Sequence, residues 1–296
     1  LLEALSDMDH DILQRFLFAG SPVRGELVRL EAAWRAVLDC HDYPPGVRRL
    51  LAELMVSSVL LAATLKYEGR LIMQIQGDGP VHLLVAECHS GRTVRGLAQW
   101  HGDVSDEIAI GAAAGRAQLV ITMDPTAGRQ RYQSIVALEG DTIAQALEVY
   151  LSRSEQIATG LWIVSDGSRA AGLLLQRLPG EPADADLWDR VNHLASTLST
   201  DELLRASFRT LLHRLYHEED VLLFDPAPVS FRCTCSRERV QDMLRTLGEP
   251  QVREILTEQG SVGVHCEFCN RYYRFDDVDV SLLFVPAPPG HPPLRH

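Results

Sequence analysis

The sequence predicts an α+β protein: a mostly antiparallel sheet core with packed helices, a helical linker, and a small cysteine-bearing C-terminal domain. Three observations carry this. From Asp11 to about Leu178, short β-like runs mix with a few helical ones without a regular βαβ alternation. A stretch bounded by prolines then holds two helical patterns, and beyond it four cysteines stand in two close pairs. With 296 residues the chain exceeds the size at which a single core is usual. The expected domains are 1–178, 179–228 and 229–296.

In the first domain, Leu71 to Gln76, Val81 to Glu87 and Leu119 to Met123 read as strands. The turn Gly77-Asp78-Gly79-Pro80 joins the first two as a hairpin. Helices are expected from Pro45 to Lys66, where Pro suits the first turn, and from Thr142 to Arg153, where Asp141 or Thr142 can cap the free N–H groups. In the linker, Leu187, Val191, Leu194 and Leu198 form an apolar stripe at helical spacing, which must dock on something. A second linker helix is expected to begin at the capping box Ser199 to Glu202 and to continue through Leu203, Leu204, Phe208, Leu211, Leu212 and Leu215.

Charge narrows the choice of partners. The net formal charge of −12 offers no positive field for phosphate backbones or anionic lipid, so neither nucleic acid nor a membrane is expected. No run reaches the roughly 18 to 20 apolar residues of a membrane helix, and the acidic opening LLEALSDMDHD does not resemble a secretory signal. A cytoplasmic protein with a trimmed start is expected. Residues 181 to 228 hold ten acidic side chains against four Arg, a net of −6, which is half of the excess charge. Crowded like charge works against compactness, so the linker is read as held by apolar contacts and loosened by its own charge.

In a reducing compartment six cysteines are no disulfide framework. Cys40 and Cys88 stand alone near apolar runs and read as small buried hydrophobes. Cys233 and Cys235, then thirty residues, then Cys266 and Cys269 supply the four-sulfur set that a tetrahedral zinc ion prefers. Asn270 can take the left-handed backbone a tight metal knuckle needs after its last ligand. A thioredoxin-like reading of Cys266 to Cys269 would require a strand before, a helix running on after, and no matching second pair. A permanent structural zinc is the plain alternative. However, a disulfide between Cys233 and Cys235 would close a small, strained ring of the labile, regulatory kind, so the same sulfurs suit reversible release of the metal. The C-terminal module has fewer than 70 residues. A core of that size supplies only ~3–5 kcal/mol, against roughly 10–16 kcal/mol of apparent free energy from structural zinc. Losing the metal should therefore unfold the module, free the linker, and uncover a contiguous apolar patch able to grasp unfolded proteins.

These residues resemble the thirty-three-kilodalton heat shock protein family, whose pattern is CxC, about thirty residues, then CxxC. The likeness extends to Phe16, Val23-Arg24-Gly25-Glu26-Leu27, Gly79-Pro80, Val94-Arg95-Gly96, Tyr132-Gln133 with Ile135-Val136, Ser154-Glu155-Gln156, and His217 through Val221. Ser134, where the family usually has Gly, and Gly115 to Gln118 depart from it at local turns. The resemblance implies a redox-regulated, ATP-independent holdase with no turnover chemistry. Its reduced form would bind one zinc through Cys233, Cys235, Cys266 and Cys269, and oxidation would pair Cys233 with Cys235 and Cys266 with Cys269. It further implies unfolding client proteins, a homodimer when activated, and transfer of clients to ATP-driven chaperones. The absence of a G-x-x-x-x-G-K-[ST] loop agrees with ATP independence. Leu187, Val191, Leu194, Leu203, Phe208 and Leu211 are the expected conditional client face. A constitutive zinc-ribbon interaction module is the alternative.

Other candidates carry less. His213 and His217 are four apart on a helix but lack the Glu and third ligand of an H-E-x-x-H site. His265 is expected beside the metal ligands rather than among them. His89, Ser90 and His101 lie near acidic residues without a G-x-S-x-G elbow, so hydrolysis has no support.

Overall fold

A computed structural model describes residues 10–65, 68–90, 92–126, 130–180 and 184–285. The chain divides into two compact units, Leu1–Arg232 and Cys233–His296.

The first unit is built on the strands β1 (Ile12–Phe18), β2 (Val23–Leu30), β3 (Gly69–Gln76), β4 (Val81–His89), β5 (Thr93–Trp100), β6 (Gln118–Pro125), β7 (Tyr132–Ala137), β8 (Thr159–Ser165), β9 (Ala170–Arg177), β10 (Val221–Leu223), β11 (Ala227–Pro228) and β12 (Ser230–Phe231). One sheet runs β10-β1-β2-β9-β8, with β11 also on β1. The other runs β12-β5-β4-β3-β6-β7. Every pairing in these two sheets is antiparallel except β12 with β5. The expected hairpin is β3–β4, with Met73 opposite Ala86.

Four helices complete this core: α1 (Ala32–Leu38), α2 (Pro45–Thr64), α3 (Ile110–Ala114) and α4 (Ile143–Arg153). Helix α2 touches β2, β8 and β9 of one sheet and β3, β4 and β5 of the other. That position explains a helix that is apolar on nearly every side rather than on one stripe. It stops at Thr64, and Leu65 is extended; the end expected at Lys66 lies outside the described residues. Buried Glu53 of α2 accepts a hydrogen bond from the Ala144 N–H at 2.9 Å, satisfying one free donor in the first turn of α4. Thr142 is the N-cap of α4 and forms a capping box with Gln145.

The linker folds into this first unit as α5 (Leu187–Ala195), α6 (Thr200–Arg205) and α7 (Phe208–Tyr216). The single second helix expected from Ser199 to Leu215 is therefore two. The break falls at Ala206, which is extended, and Ser207 starts α7 by accepting from the Thr210 N–H. The Leu203 and Ala206 carbonyls at this break are both taken by Arg29 of β2. Residues 229 to 232, expected with the C-terminal module, also belong to the first unit. Val229 is buried in its core, and the Val229 N–H donates to the Asp11 carbonyl at 2.7 Å.

The second unit holds α8 (Arg237–Leu247), α9 (Glu249–Gln259), the hairpin β13 (Val262–His265) with β14 (Tyr272–Phe275), and α10 (Asp277–Leu283). Its buried apolar core is Val240, Leu244, Val252, Val262, Tyr273, Phe275, Val280 and Leu283. Arg237 lies 4.2 Å over the Phe275 ring and pairs with Asp279 at 2.8 Å.

Candidate metal centre and linker face

Cys233 and Cys235 enter the site on the segment before α8, whose N-cap is Ser236. Cys266 and Cys269 lie in the turn between β13 and β14. That turn is closed by the Asn270 N–H donating to the Cys266 carbonyl at 2.8 Å and the Cys266 N–H donating to the Arg271 carbonyl at 2.9 Å. Asn270 has φ +53°, the left-handed conformation expected after the last ligand. A strand, not a helix, follows Cys269, which removes the thioredoxin-like arrangement.

All four sulfurs lie within 4.8 Å of one another. Cys233 is 3.6 Å from Cys266, and Cys235 is 3.4 Å from Cys269. Four Zn–S bonds of ~2.3 Å in a tetrahedron place sulfurs about 3.8 Å apart, so the cage fits zinc. Among the described residues it is the only group of three or more His, Cys, Asp or Glu side chains able to hold a metal. Burial raises the Cys235 thiol, but hydrogen bonds from Tyr273 and the neighbouring thiols outweigh it and bring the group down to about 7. Cys266 and Cys269 shift upward, chiefly through burial. Four thiolates this close need a cation between them to be charged together. The Tyr273 donor to Cys235 has no motif of its own in the sequence; the aromatic run after Cys269 was its only signal.

The remaining candidates do not join the cage. Cys88 is fully buried in β4, whereas Cys40 is half-buried, with its thiol 3.0 Å from the Ala36 carbonyl. His265 lies tilted against Tyr272 with ring centroids 4.6 Å apart, and His213 lies tilted against His217 at 6.0 Å.

The linker helices lie on the face of the β1-β2-β9 sheet opposite α2. Leu187, Val191, Leu203, Phe208 and Leu211 are buried there against Phe16, Phe18, Val23, Leu27, Leu173 and Leu175; Leu194 and Leu198 are partly buried. Tyr216 packs edge-on to Phe18 at 5.0 Å, and its hydroxyl donates to the Val191 carbonyl at 3.2 Å, tying α7 to α5. Three of the four linker arginines neutralise nearby acids: Arg190 with Asp184 and Glu219, Arg205 with Asp201 and Asp166, and Arg214 with Glu202. The crowded negative charge is thus partly balanced within the docked structure.

Elsewhere in the first unit Arg24, Tyr132 and Glu155, three of the resembling positions, line one cavity of about 310 Å³ with Tyr150 and Gln176. Among the described residues no helix is long and apolar enough to cross a membrane.

Residues 11–276 match the family model described as Hsp33 protein. The chain is 49% identical over 277 residues to the 33 kDa chaperonin of Nitrosococcus oceani, covering 94% of this chain and 95% of that one. It is 49% identical over 276 residues to the protein of the same name from Chromobacterium violaceum, covering 93% and 94%. The crystal structure of the 33 kDa chaperonin from Thermotoga maritima superposes with a TM-score of 0.80 at 22% identity, covering 93% of this chain and 98% of that one, which establishes the shared fold. Such likeness over nearly the whole length has one reading: the chain belongs to the Hsp33 family.

Proposed function

We propose that the protein is a redox-regulated, ATP-independent chaperone that holds unfolding proteins and performs no turnover chemistry. The observation that carries this reading is the four-thiol cage in a unit whose buried apolar core is otherwise eight residues. Family membership and relatives named chaperonins support the chaperone assignment.

In the reduced state Cys233, Cys235, Cys266 and Cys269 hold one zinc ion. When bound, the ion supplies the cohesion of the C-terminal domain and keeps the four sulfurs as thiolates. Peroxide is the oxidant that the scheme requires. Each pair of thiolates gives two electrons to one hydrogen peroxide, which takes two protons from solvent, forming one disulfide and two waters. Pairing Cys233 with Cys235 and Cys266 with Cys269 leaves no thiolate to hold the ion. The domain from Cys233 onward then unfolds, the linker 179–228 is freed, and Leu187, Val191, Leu194, Leu203, Phe208 and Leu211 come off the sheet. Both the freed helix faces and the uncovered sheet offer apolar surface to clients. The activated form dimerises in the cytoplasm and passes clients to ATP-driven chaperones.

The test is direct. Reduced protein should contain one zinc and suppress aggregation of a heat-unfolded enzyme poorly. Peroxide with mild unfolding stress should release the zinc, form the two disulfides and produce strong suppression. Suppression that is the same before and after oxidation would sink the redox reading and leave a constitutive zinc-ribbon module.

A further inference from the structure

Among the described residues Arg29 is the one buried arginine in the sheet under the linker, and it is 2% exposed. It shares the outer face of β2 with Leu27, which packs against the linker helices. Its Nη2 donates to the Leu203 carbonyl at 2.9 Å and to the Ala206 carbonyl at 2.6 Å. Its guanidinium carbon lies 4.8 Å from the centre of the Phe208 ring. One side chain of the sheet thus touches the end of α6, the break, and the start of α7.

The helix it meets cannot stand alone. Helix α6 has six residues, well below the ~12–15 at which an isolated helix becomes marginal in water. Its N-terminus is satisfied locally by the Ser199–Glu202 capping box. At its C-terminus the Ala206 N–H closes on the Glu202 carbonyl, and the backbone, extended at Ala206, then leaves the later carbonyls without helical donors. Arg29 supplies the missing donors from β2, more than 170 residues earlier in the chain.

We infer that Arg29 is the positioning residue of the linker: by capping the end of α6 and stacking on Phe208 it fixes the α6–α7 break on the sheet, and so keeps the client face covered in the reduced protein. This rests on the proposed function and names the contact through which the covering is held. A buried guanidinium stays buried only while carbonyls and an aromatic face replace its water. Once the helices lift, water satisfies both the cation and the carbonyls, so the latch opens without leaving an unpaired group on either side. The same contact therefore sets the register of docking and leaves it reversible.

Hydrogen exchange of the full-length, reduced, zinc-loaded protein tests this with Arg29→Met, which keeps an unbranched apolar stem and removes the donors, and with Arg29→Lys. Arg29→Met should speed exchange across residues 199–217 by about tenfold or more, the cost of burying carbonyls without donors. Arg29→Lys, which retains a cation and donors, should recover part of the protection. Zinc content and the protection of β3 and β4 should stay as in the wild type. The reduced Arg29→Met protein should also suppress aggregation without oxidant. Phe208→Leu, which keeps an apolar contact and removes the ring, should speed exchange in the same segment by about threefold, so the inference stays testable even if Arg29→Met fails to fold. Unchanged exchange over 199–217 overturns the inference, as does a loss of protection that includes β3 and β4. Faster exchange without aggregation suppression, alongside an active oxidised wild type, also overturns it. An oxidised wild type that holds no clients instead overturns the proposed function and leaves the exchange result to judge the latch.

Discussion

The Tyr273 hydroxyl donates to the Cys235 sulfur at 3.1 Å, from the strand of the hairpin that follows the second cysteine pair. A ring in the small core is thereby joined to the thiol cage, so the cage and the packing share one residue. Hydrogen bonds to metal ligands orient them and tune their affinity. Tyr273→Phe keeps the ring and removes the donor, so zinc affinity should fall about tenfold or more. Competition with a chromogenic chelator measures it; unchanged affinity would mean the hydroxyl has no part in the site.

Removing the metal should unfold the second unit and free the linker helices while leaving the strands of the first unit in place. A chelator added to the reduced full-length protein should abolish amide protection over α8, α9 and the β13–β14 hairpin, while β3, β4 and β9 keep theirs. The second unit has only a small buried core of its own. Protection retained at α8 and α9 would show that this core suffices without zinc.

Glu26 is 2% exposed on β2, and burial raises its carboxyl from the ordinary 4.5 to about 8, against the opposing charges of Arg24 and Arg15. An acid whose folded value is raised binds more protons in the folded than in the unfolded chain between these two values. Stability should therefore decline as pH rises from 4.5 towards 8, by at most about 1.4 kcal/mol per pH unit from this group, and level off above. Glu26→Gln should flatten that part of the profile and raise the melting temperature at pH 8. A parallel shift at every pH would assign the effect to something other than titration.

Gly25 lies directly under the Phe16 ring. A Cβ at that position would stand 2.0 Å from the ring's Cζ. Phe16 in turn packs against Phe18 and Tyr216. Gly25→Ala should push the ring towards α7, destabilising the fold by about 1–3 kcal/mol and loosening α7 before the sheet. Denaturant melts together with exchange at residues 208–216 read both effects.

Much of this architecture was legible because its signals are local. The strands at Leu71, Val81 and Leu119, the Thr142 cap and the left-handed Asn270 each follow from a few neighbouring residues. The cage was legible because cysteine pairs at ligand spacing have few other uses. What escaped depends on partners distant in sequence. The leucine periodicity from Leu203 to Leu215 continues through the break at Ala206, and the arginine that settles it lies on β2. Residues 229 to 232 resemble the start of a small domain, yet Phe231 pairs with Val94 of β5 and the Arg232 N–H donates to the Val94 carbonyl. Helix α2 reads as a strong helix from its composition, but only the two sheets show why it has no polar side.

Strand β1 pairs with β2 beside it and with β10 and β11 some two hundred residues later, Phe18 lying opposite Val221 and Ile12 opposite Pro228. On a ribosome adding ~5–20 residues per second, the outer edge of β1 waits roughly 10 to 40 s for its partner. Through that interval the nascent chain carries an open sheet edge and an apolar face not yet roofed by its own later helices. A member of a chaperone family thus passes its own synthesis with its sheet edge unpaired, and Cys233, Cys235, Cys266 and Cys269 leave the ribosome only after the strands that close that edge have been translated.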